Sequence, residues 1–186
     1  MRLFVAIDVP EDVRGRIARF ASDLRAQAPR ARWVQIEGAH LSLKFIGEVP
    51  DSLLDAIRPA LAPMRAPAPI EIEYRGCGFF PNAHRPRVFW VGVNAPATLA
   101  ELATEIERVL VPLGVPRESR EFQPHLTLAR FHHPSECGEL RRAIVQIAVP
   151  EFGRTVAREF HLYQSQLQPQ GPIYTRLETY VFAPVP

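Results

Sequence analysis

Residues 40–47 have the sequence HLSLKFIG, and residues 125–131 have the sequence HLTLARF. Both stretches begin with histidine, leucine, a hydroxyl residue and leucine, and the second begins close to half of the 186-residue chain after the first. Alternation of apolar and polar positions is typical of a β-strand that buries one face. The repeat therefore predicts two equivalent strands, one in each half of the chain.

The alternation also predicts which side chains lie together. Successive side chains of a strand point to opposite faces, so His40 and Ser42 share one face and the intervening leucine takes the other. His125 and Thr127 are related in the same way. If the two halves pack about an approximate twofold axis, two pairs of imidazole and hydroxyl groups face each other across a cleft.

The sequence around the repeat predicts strands and helices in alternation. Apolar periodicity, prolines and glycines predict strands over 2–9, 32–36, 40–46, 70–78, 87–93, 125–131, 155–168 and 173–182, and helices over 13–27, 51–64, 97–113 and 135–147. No glycine-rich nucleotide loop and no long linker interrupts this order. The expected fold is α+β, with two similar halves packed as a single unit over residues 1–186.

The composition is that of an ordinary globular protein, with 47% hydrophobic and 23% charged residues. The formal net charge of +2 does not by itself indicate a nucleic-acid-binding protein. Lys44 is the only lysine, and every other basic residue is arginine. Arginine suits phosphate recognition because its planar fork binds two oxygens at once, although a compositional bias explains the overall excess equally simply.

The two cysteines, Cys77 and Cys137, do not have the spacing of a metal site. We expect reduced thiols and a cytoplasmic location. The apolar run at the N-terminus is too short for a signal peptide, and no stretch approaches the roughly 20 apolar residues of a membrane span. The sequence therefore predicts a protein that has no membrane partner.

Two opposed imidazoles suit acid–base chemistry at a phosphodiester. Free histidine has a pKa near 6.5, so one ring can take a proton from water while the other gives a proton to the leaving oxygen. The neighbouring hydroxyls, those of Ser42 and Thr127, can donate hydrogen bonds to the non-bridging phosphoryl oxygens. The symmetry of the motifs does not decide which histidine is the donor and which the acceptor.

These features resemble a known family. Paired motifs of this kind, together with MRLFVAID at the start, FFPN and RPRVFWVGV in the middle and GPIYTRL near the end, resemble the bacterial and archaeal RNA 2′,3′-cyclic phosphodiesterases, also called 2′-5′ RNA ligases. They belong to the two-histidine phosphoesterase superfamily. The resemblance extends from Met1 to roughly Tyr180.

The resemblance implies a bilobal fold, in which antiparallel sheets of two pseudo-symmetric lobes line a central cleft and helices lie outside. It implies that His40 is the proton donor and His125 the proton acceptor. The product would carry a 2′-phosphate, with the 3′ oxygen as leaving group. The chain departs from the family at Ser42, where threonine is usual, and serine lacks the methyl group that restricts χ1.

Two basic residues follow the motifs and are further candidates for phosphate binding. Strict alternation places Arg130 on the face opposite His125, so it reaches substrate only if a bulge or the strand end turns it round. Lys44 follows the parity of His40 and is expected on the cleft face or at its solvent-exposed rim. Tyr174, in the near-terminal signature, is expected either to stack on a base or to pack within the protein.

Other residues have simpler interpretations. His132 and His133 follow the second motif, but their spacing and the lack of a nearby acidic or cysteine ligand argue against zinc. We therefore predict no metal and no cofactor. Three aromatic residues are expected in the core rather than as platforms for bases: Phe79, Phe80 and Trp90.

The motifs together with this resemblance predict a metal-independent phosphodiesterase that opens 2′,3′-cyclic phosphate ends of RNA. The expected partner is such RNA. Two alternatives remain: a 2′-5′ RNA ligase, which runs the same chemistry in reverse, and a noncatalytic module that binds RNA ends. Small cyclic nucleotides and 2′-5′ oligonucleotides are also conceivable substrates. We expect a monomer.

Overall fold

The computed structural model describes residues 1–64, 66, 68–169 and 171–183. The described residues form nine β-strands and four α-helices. In chain order these are β1 (Arg2–Asp8), α1 (Glu11–Leu24), β2 (Arg32–Trp33), β3 (His40–Glu48), α2 (Leu54–Leu61), β4 (Ile70–Phe80), β5 (Val88–Asn94), α3 (Ala97–Leu110), β6 (His125–Arg130), α4 (Gly138–Val145), β7 (Glu151–Ala157), β8 (Glu159–Gln166) and β9 (Ile173–Val181).

The strands form two antiparallel sheets. The first sheet has the strand order β3-β1-β8-β9, and the second has the order β2-β6-β5-β4-β7. All the pairings are antiparallel. The predicted α+β fold with two lobes is confirmed.

The two sheets repeat one arrangement. In each sheet, the motif strand pairs with an earlier strand, and the chain forms a helix between the two. In this way β3 pairs with β1, and β6 pairs with β5. Two further strands follow in each sheet, so β3-β1-β8-β9 matches β6-β5-β4-β7, and the second sheet has β2 in addition, beside β6. The similar motifs that begin at His40 and His125 reflect this symmetry in the sequence.

The helices link the two lobes. Helix α1 follows β1 of the first sheet but contacts β7 of the second, and helix α3 follows β5 of the second sheet but contacts β3 of the first. One large cluster of buried side chains contains residues from both sheets. Burial of this apolar surface favours the two lobes packing together.

The prediction of one continuous strand over 155–168 is wrong, because the chain passes from one sheet to the other within this range. It is divided at Arg158 into β7, which pairs with β4, and β8, which pairs with β1. No proline or glycine marks the change at Arg158. The apolar pattern therefore continues through a change of sheet that only tertiary structure reveals.

Each motif strand contains a β-bulge at the same place. In β3 the pairing with β1 shifts by one residue between Ser42 and Lys44, and in β6 the pairing with β5 shifts between Thr127 and Ala129. A bulge places an extra residue on one strand and reverses the alternation beyond it. Lys44 and Ala129 are consequently both buried.

The prediction that Lys44 shares the face of His40 is wrong, because the bulge turns its side chain toward the core. Lys44 is 2% exposed. Its Nζ donates hydrogen bonds to Glu107 Oε2 of α3 at 2.6 Å and to the carbonyl oxygen of Pro116 at 2.7 Å. The ammonium group therefore helps to hold α3 against β3, and its position does not support a phosphate contact.

We expect Glu107→Gln to lower the free energy of unfolding by about 2 kcal/mol, because a buried ammonium group loses its anionic hydrogen-bond partner. Denaturation by urea measures the change. Glu105→Gln is the matched control, since Glu105 lies on the same helix and pairs with Arg108 at the surface. It should cause no measurable change. Equal effects of the two substitutions would contradict a stabilising role for the buried pair.

Candidate active site

His40 lies in an aromatic wall on the cleft face of the first sheet. Its ring is stacked on Phe4, with centroids 4.8 Å apart, and on Tyr163, at 5.1 Å and an interplanar angle of 5°. Tyr174 presents its ring nearly perpendicular to the imidazole at 4.5 Å. These contacts fix the plane of the ring and remove water from it.

A polar network lies beside this wall on the same face of the sheet. Asp8 is paired with His40 across β1 and β3. The hydroxyl of Tyr163 donates to Asp8 Oδ1 at 2.5 Å, and Arg176 forms an ion pair with Asp8 Oδ2. The buried His161 has its Nε2 3.7 Å from Asp8 Oδ2. The network holds both the stacking tyrosine and the carboxylate of Asp8, the residue paired with His40.

Burial lowers the pKa of His40 from its ordinary value to about 4. The negative charge of Asp8 opposes this change, while Arg14 and His161 add to it. Desolvation disfavours the charged form of an imidazole, so the direction follows from the aromatic surroundings. In the empty protein at neutral pH this ring is uncharged.

His125 has a different environment on the second sheet. Its Nδ1 lies 2.7 Å from the carbonyl oxygen of Gln123. A carbonyl only accepts hydrogen bonds, so in the neutral ring Nδ1 carries the proton and Nε2 carries a free lone pair. Phe80 packs edge-on against the ring at 4.8 Å. The local backbone thus selects the tautomer that can accept a proton at Nε2.

Burial also lowers the pKa of His125, with the Gln123 carbonyl raising it and the charge of Arg130 lowering it. Both imidazoles are therefore neutral in the empty site at neutral pH. A ring that gives a proton at that pH must therefore first be charged by a change in its surroundings. A bound anion would do so, because negative charge favours imidazolium.

The hydroxyl residues lie on the same faces as the histidines. Ser42 is paired with Ala6 of β1, and Thr127 is paired with Trp90 of β5. Ser42 is exposed and Thr127 is partly exposed, so both can be reached by a ligand in the cleft.

The second bulge brings Arg130 to the cleft face. Val88 is paired with Arg130 and Trp90 with Thr127, and Val88 and Trp90 are two residues apart on one strand. Paired residues of an antiparallel sheet share a face, so Arg130 lies on the face of Thr127 despite an odd separation in sequence. Its exposed guanidinium also contributes to the pKa shift of His125.

The two motif strands approach each other, with Cα atoms of several residue pairs from β3 and β6 within 8 Å. The ring of Tyr174 contacts His40, and the charges of Arg2 and Arg130 both lower its pKa against the effect of burial. Arg2 belongs to the first sheet and Arg130 to the second. The packing interpretation of Tyr174 is confirmed, while base stacking stays a prediction.

A pocket of about 320 Å³ adjoins His125. The rings of Phe80 and Trp90 line it, so the expectation that both are core residues is wrong, whereas Phe79 is 8% exposed and is a core residue as predicted. Trp90 lies flat against Gly78, where an added Cβ would come within 2.5 Å of the indole ring. The indole N–H of Trp90 is buried and finds no hydrogen-bond partner in the described part of the chain.

Sequence reasoning did not identify the residues that surround His40: Phe4, Asp8, Tyr163 and Arg176. They come from β1, β8 and β9, and the last two of these strands lie more than 100 residues from β3 in the chain. The MRLFVAID stretch contains Phe4 and Asp8 at even spacing, which places them on one strand face. Nothing in the sequence indicated that this was the face of His40.

In the residues that the structure describes, no group of three or more histidine, cysteine or acidic side chains is arranged to hold a metal ion. The helices in the described ranges include none that is long and apolar enough to cross a membrane.

Comparisons with known proteins agree with this geometry. A family model described as the 2′-5′ RNA ligase superfamily matches residues 9–168. The RNA 2′,3′-cyclic phosphodiesterase of Methanothermobacter thermautotrophicus is 34% identical over 181 residues, covering 97% of this chain and 98% of that protein. The enzyme of the same name from Methanocaldococcus jannaschii is 36% identical over 174 residues, covering 94% and 96%.

Solved structures show the same likeness. TT0787 of Thermus thermophilus has a TM-score of 0.78 and 31% identity, with 98% of each chain covered. LigT of E. coli complexed with 3′-AMP has a TM-score of 0.78 and 27% identity, with 97% of each chain covered.

We expect Asp8→Asn to lower the pKa of His40 further, because it removes the negative charge that favours the imidazolium form and leaves Arg176 uncompensated. Titration of the imidazole by NMR measures the change. Asp12→Asn is the control, since Asp12 forms its ion pair with Arg16 on α1. An unchanged or higher pKa in Asp8→Asn would show that the carboxylate does not act on the ring.

Proposed function

The chain belongs to the 2′-5′ RNA ligase superfamily, and on that premise we propose that it is a metal-independent phosphodiesterase that opens 2′,3′-cyclic phosphate ends of RNA to 2′-phosphate ends. The relatives described above carry the name of this activity. The observation that supports the proposal most is the placement of two histidines, each beside a hydroxyl residue, on the motif strands of two related sheets, which approach each other.

In the proposed reaction, His125 is the proton acceptor. Its Nε2 takes a proton from a water molecule while the water oxygen forms a bond to phosphorus. The hydrogen bond from Nδ1 to the Gln123 carbonyl supports this role, because it holds the acceptor tautomer in place and stabilises the imidazolium that forms.

His40 is the proton donor. As the bond between phosphorus and the 3′ oxygen breaks, the imidazolium gives its proton to that oxygen and leaves a 2′-phosphate monoester. The low pKa of the empty site requires the substrate itself to charge His40. The phosphodiester anion supplies the negative charge, and Asp8 adds to it.

The remaining groups stabilise charge on the phosphoryl oxygens. The hydroxyls of Ser42 and Thr127 donate hydrogen bonds to the non-bridging oxygens, and Arg130 provides a positive charge on the same face as Thr127. No such role is proposed for Lys44, whose ammonium group binds Glu107.

Ligation is the second candidate, since the superfamily description includes it. A 5′-hydroxyl of a second RNA would replace water as the nucleophile, so that opening of the cyclic phosphate gives a 2′-5′ phosphodiester and the free 3′ hydroxyl. Water is present at roughly 55 M, so hydrolysis dominates unless the acceptor hydroxyl is held in place. A noncatalytic module that binds RNA ends is the third candidate.

We propose a cytoplasmic monomer. The free thiols Cys77 and Cys137 support the compartment, since reducing conditions preserve them.

We expect wild-type protein to open a 2′,3′-cyclic phosphate end in the presence of EDTA, and His125→Asn to lower kcat by about 10²–10⁴-fold. Asparagine can keep a donor to the Gln123 carbonyl but has no group equivalent to Nε2, so the variant removes the base rather than the local structure. Chromatography of the products, with 2′- and 3′-phosphate standards, measures the rate and the position of the phosphate.

His133→Asn is the control, because His133 is exposed and belongs to neither motif. The assay also contains RNA with a 5′-hydroxyl, so joined product reports ligation. Undiminished hydrolysis by His125→Asn would disprove the assignment, and binding of the RNA end without any turnover by wild type would favour the noncatalytic module.

The pH profile follows from the two lowered pKa values. For kcat/KM, which reflects the free protein, activity requires charged His40 and neutral His125, and both groups titrate below their ordinary value of about 6.5. We therefore expect kcat/KM to fall as the pH rises above about 6.5. The decline of kcat should begin at a higher pH than the decline of kcat/KM, since bound phosphodiester raises the pKa values of both histidines. Coincident profiles, or a kcat/KM that increases up to pH 8, would contradict this protonation scheme.

A further inference from the structure

Arg32 lies on the cleft face of the second sheet. In the pairing of β2 with β6, Arg32 is directly opposite Arg130. Directly opposed residues of antiparallel strands point to the same face, so Arg32 shares the face of Arg130 and Thr127. The neighbouring Trp33 points the other way, with its ring 6.2 Å from that of the core residue Phe89.

The two guanidinium groups are a like-charge pair with no counter-ion from the described parts of the chain. Both side chains are exposed, and neither forms an ion pair with any described carboxylate. Like charges directly opposite each other destabilise a sheet. An anionic ligand would relieve this repulsion, and two adjacent forks suit phosphate oxygens.

The order of side chains along β6 indicates the order in which a bound ligand would meet the two arginines. His125, Thr127 and Arg130 follow one another along the strand, at the levels of Gly92, Trp90 and Val88 of β5. Arg32 is one strand further out, on β2 at the edge of the sheet. A ligand that has its reacting phosphate near His125 and Thr127 therefore passes Arg130 before it reaches Arg32.

We propose that Arg32 binds the phosphodiester group on the 5′ side of the terminal nucleotide, and so makes the protein prefer an RNA strand over a cyclic mononucleotide. The proposal rests on the function proposed above and specifies its substrate class. Arg130 binds the terminal cyclic phosphate, and Arg32 binds the next phosphate of the RNA strand. Only a substrate of at least two nucleotides has that second charge.

The test uses the 186-residue protein and compares three substrates. They are adenosine 2′,3′-cyclic phosphate, the dinucleotide ApA with a 2′,3′-cyclic phosphate end, and the same dinucleotide with a neutral methylphosphonate linkage. We expect Arg32→Gln to lower kcat/KM for the charged dinucleotide by about tenfold, as for loss of one charge-assisted hydrogen bond. For the mononucleotide and the neutral dinucleotide the change should be less than about twofold.

Arg19→Gln is the matched control, because Arg19 is exposed on α1 and its substitution also removes one positive charge. It should change none of the three rates. Arg32→Lys should recover part of the loss, since it keeps the charge but not the fork. The salt dependence gives an independent readout: the slope of log kcat/KM against log salt for the charged dinucleotide should become shallower by about 0.7 in Arg32→Gln.

Wild-type protein provides a test that needs no variant. If it hydrolyses the charged and the neutral dinucleotides equally well, the proposal for Arg32 is overturned while the proposed activity stands. An equal loss on all three substrates in Arg32→Gln would also overturn it, since that result places Arg32 at the terminal phosphate or in the fold. If wild type hydrolyses none of the substrates, the proposed function itself fails.

Discussion

The arrangement of the cleft depends on one constraint: an extra residue directly after the hydroxyl residue of each motif strand. Alternation alone would place residues 44 and 129 beside the histidine and hydroxyl pairs. The bulges place Phe45 and Arg130 there instead and turn Lys44 and Ala129 inward. This is why the motif strand of the second lobe carries a positive charge on the cleft face, whereas that of the first lobe turns its lysine inward to pair with Glu107.

The same symmetric framework places the two histidines in unlike surroundings. His40 is enclosed by aromatic rings with a carboxylate nearby, whereas His125 is tied to a backbone carbonyl. A carbonyl fixes a neutral tautomer, while a carboxylate favours a positive charge. The different partners therefore supply what the symmetry of the motifs leaves open, namely a physical basis for giving an acceptor role to one ring and a donor role to the other.

The sequence predicted the parts of this structure that local alternation determines. The motif strands, the helices between strands and the shared faces of His40 with Ser42 and His125 with Thr127 follow from periodicity. The bulges do not, because an extra residue that is itself apolar, such as Leu128 followed by Ala129, leaves no mark in the pattern. The surroundings of His40 were equally inaccessible, since Tyr163 and Arg176 reach it through pairings between strands distant in the chain.

The low pKa of His40 makes its charge a consequence of ligand binding. With a pKa of about 4, the ring is protonated in only about one molecule in a thousand at pH 7. To make the imidazolium the major form at that pH, a ligand must favour it by roughly 4 kcal/mol. A monoanion held against the ring in surroundings from which water is excluded can supply an interaction of that order, whereas one in open solvent supplies about 1 kcal/mol.

The aromatic wall therefore has two opposing effects: it disfavours the charge in the empty cleft and strengthens the attraction that creates the charge once a phosphodiester is bound. Neutral ligands that fill the cleft would leave His40 uncharged, so in the proposed mechanism the wall would discriminate in favour of anions.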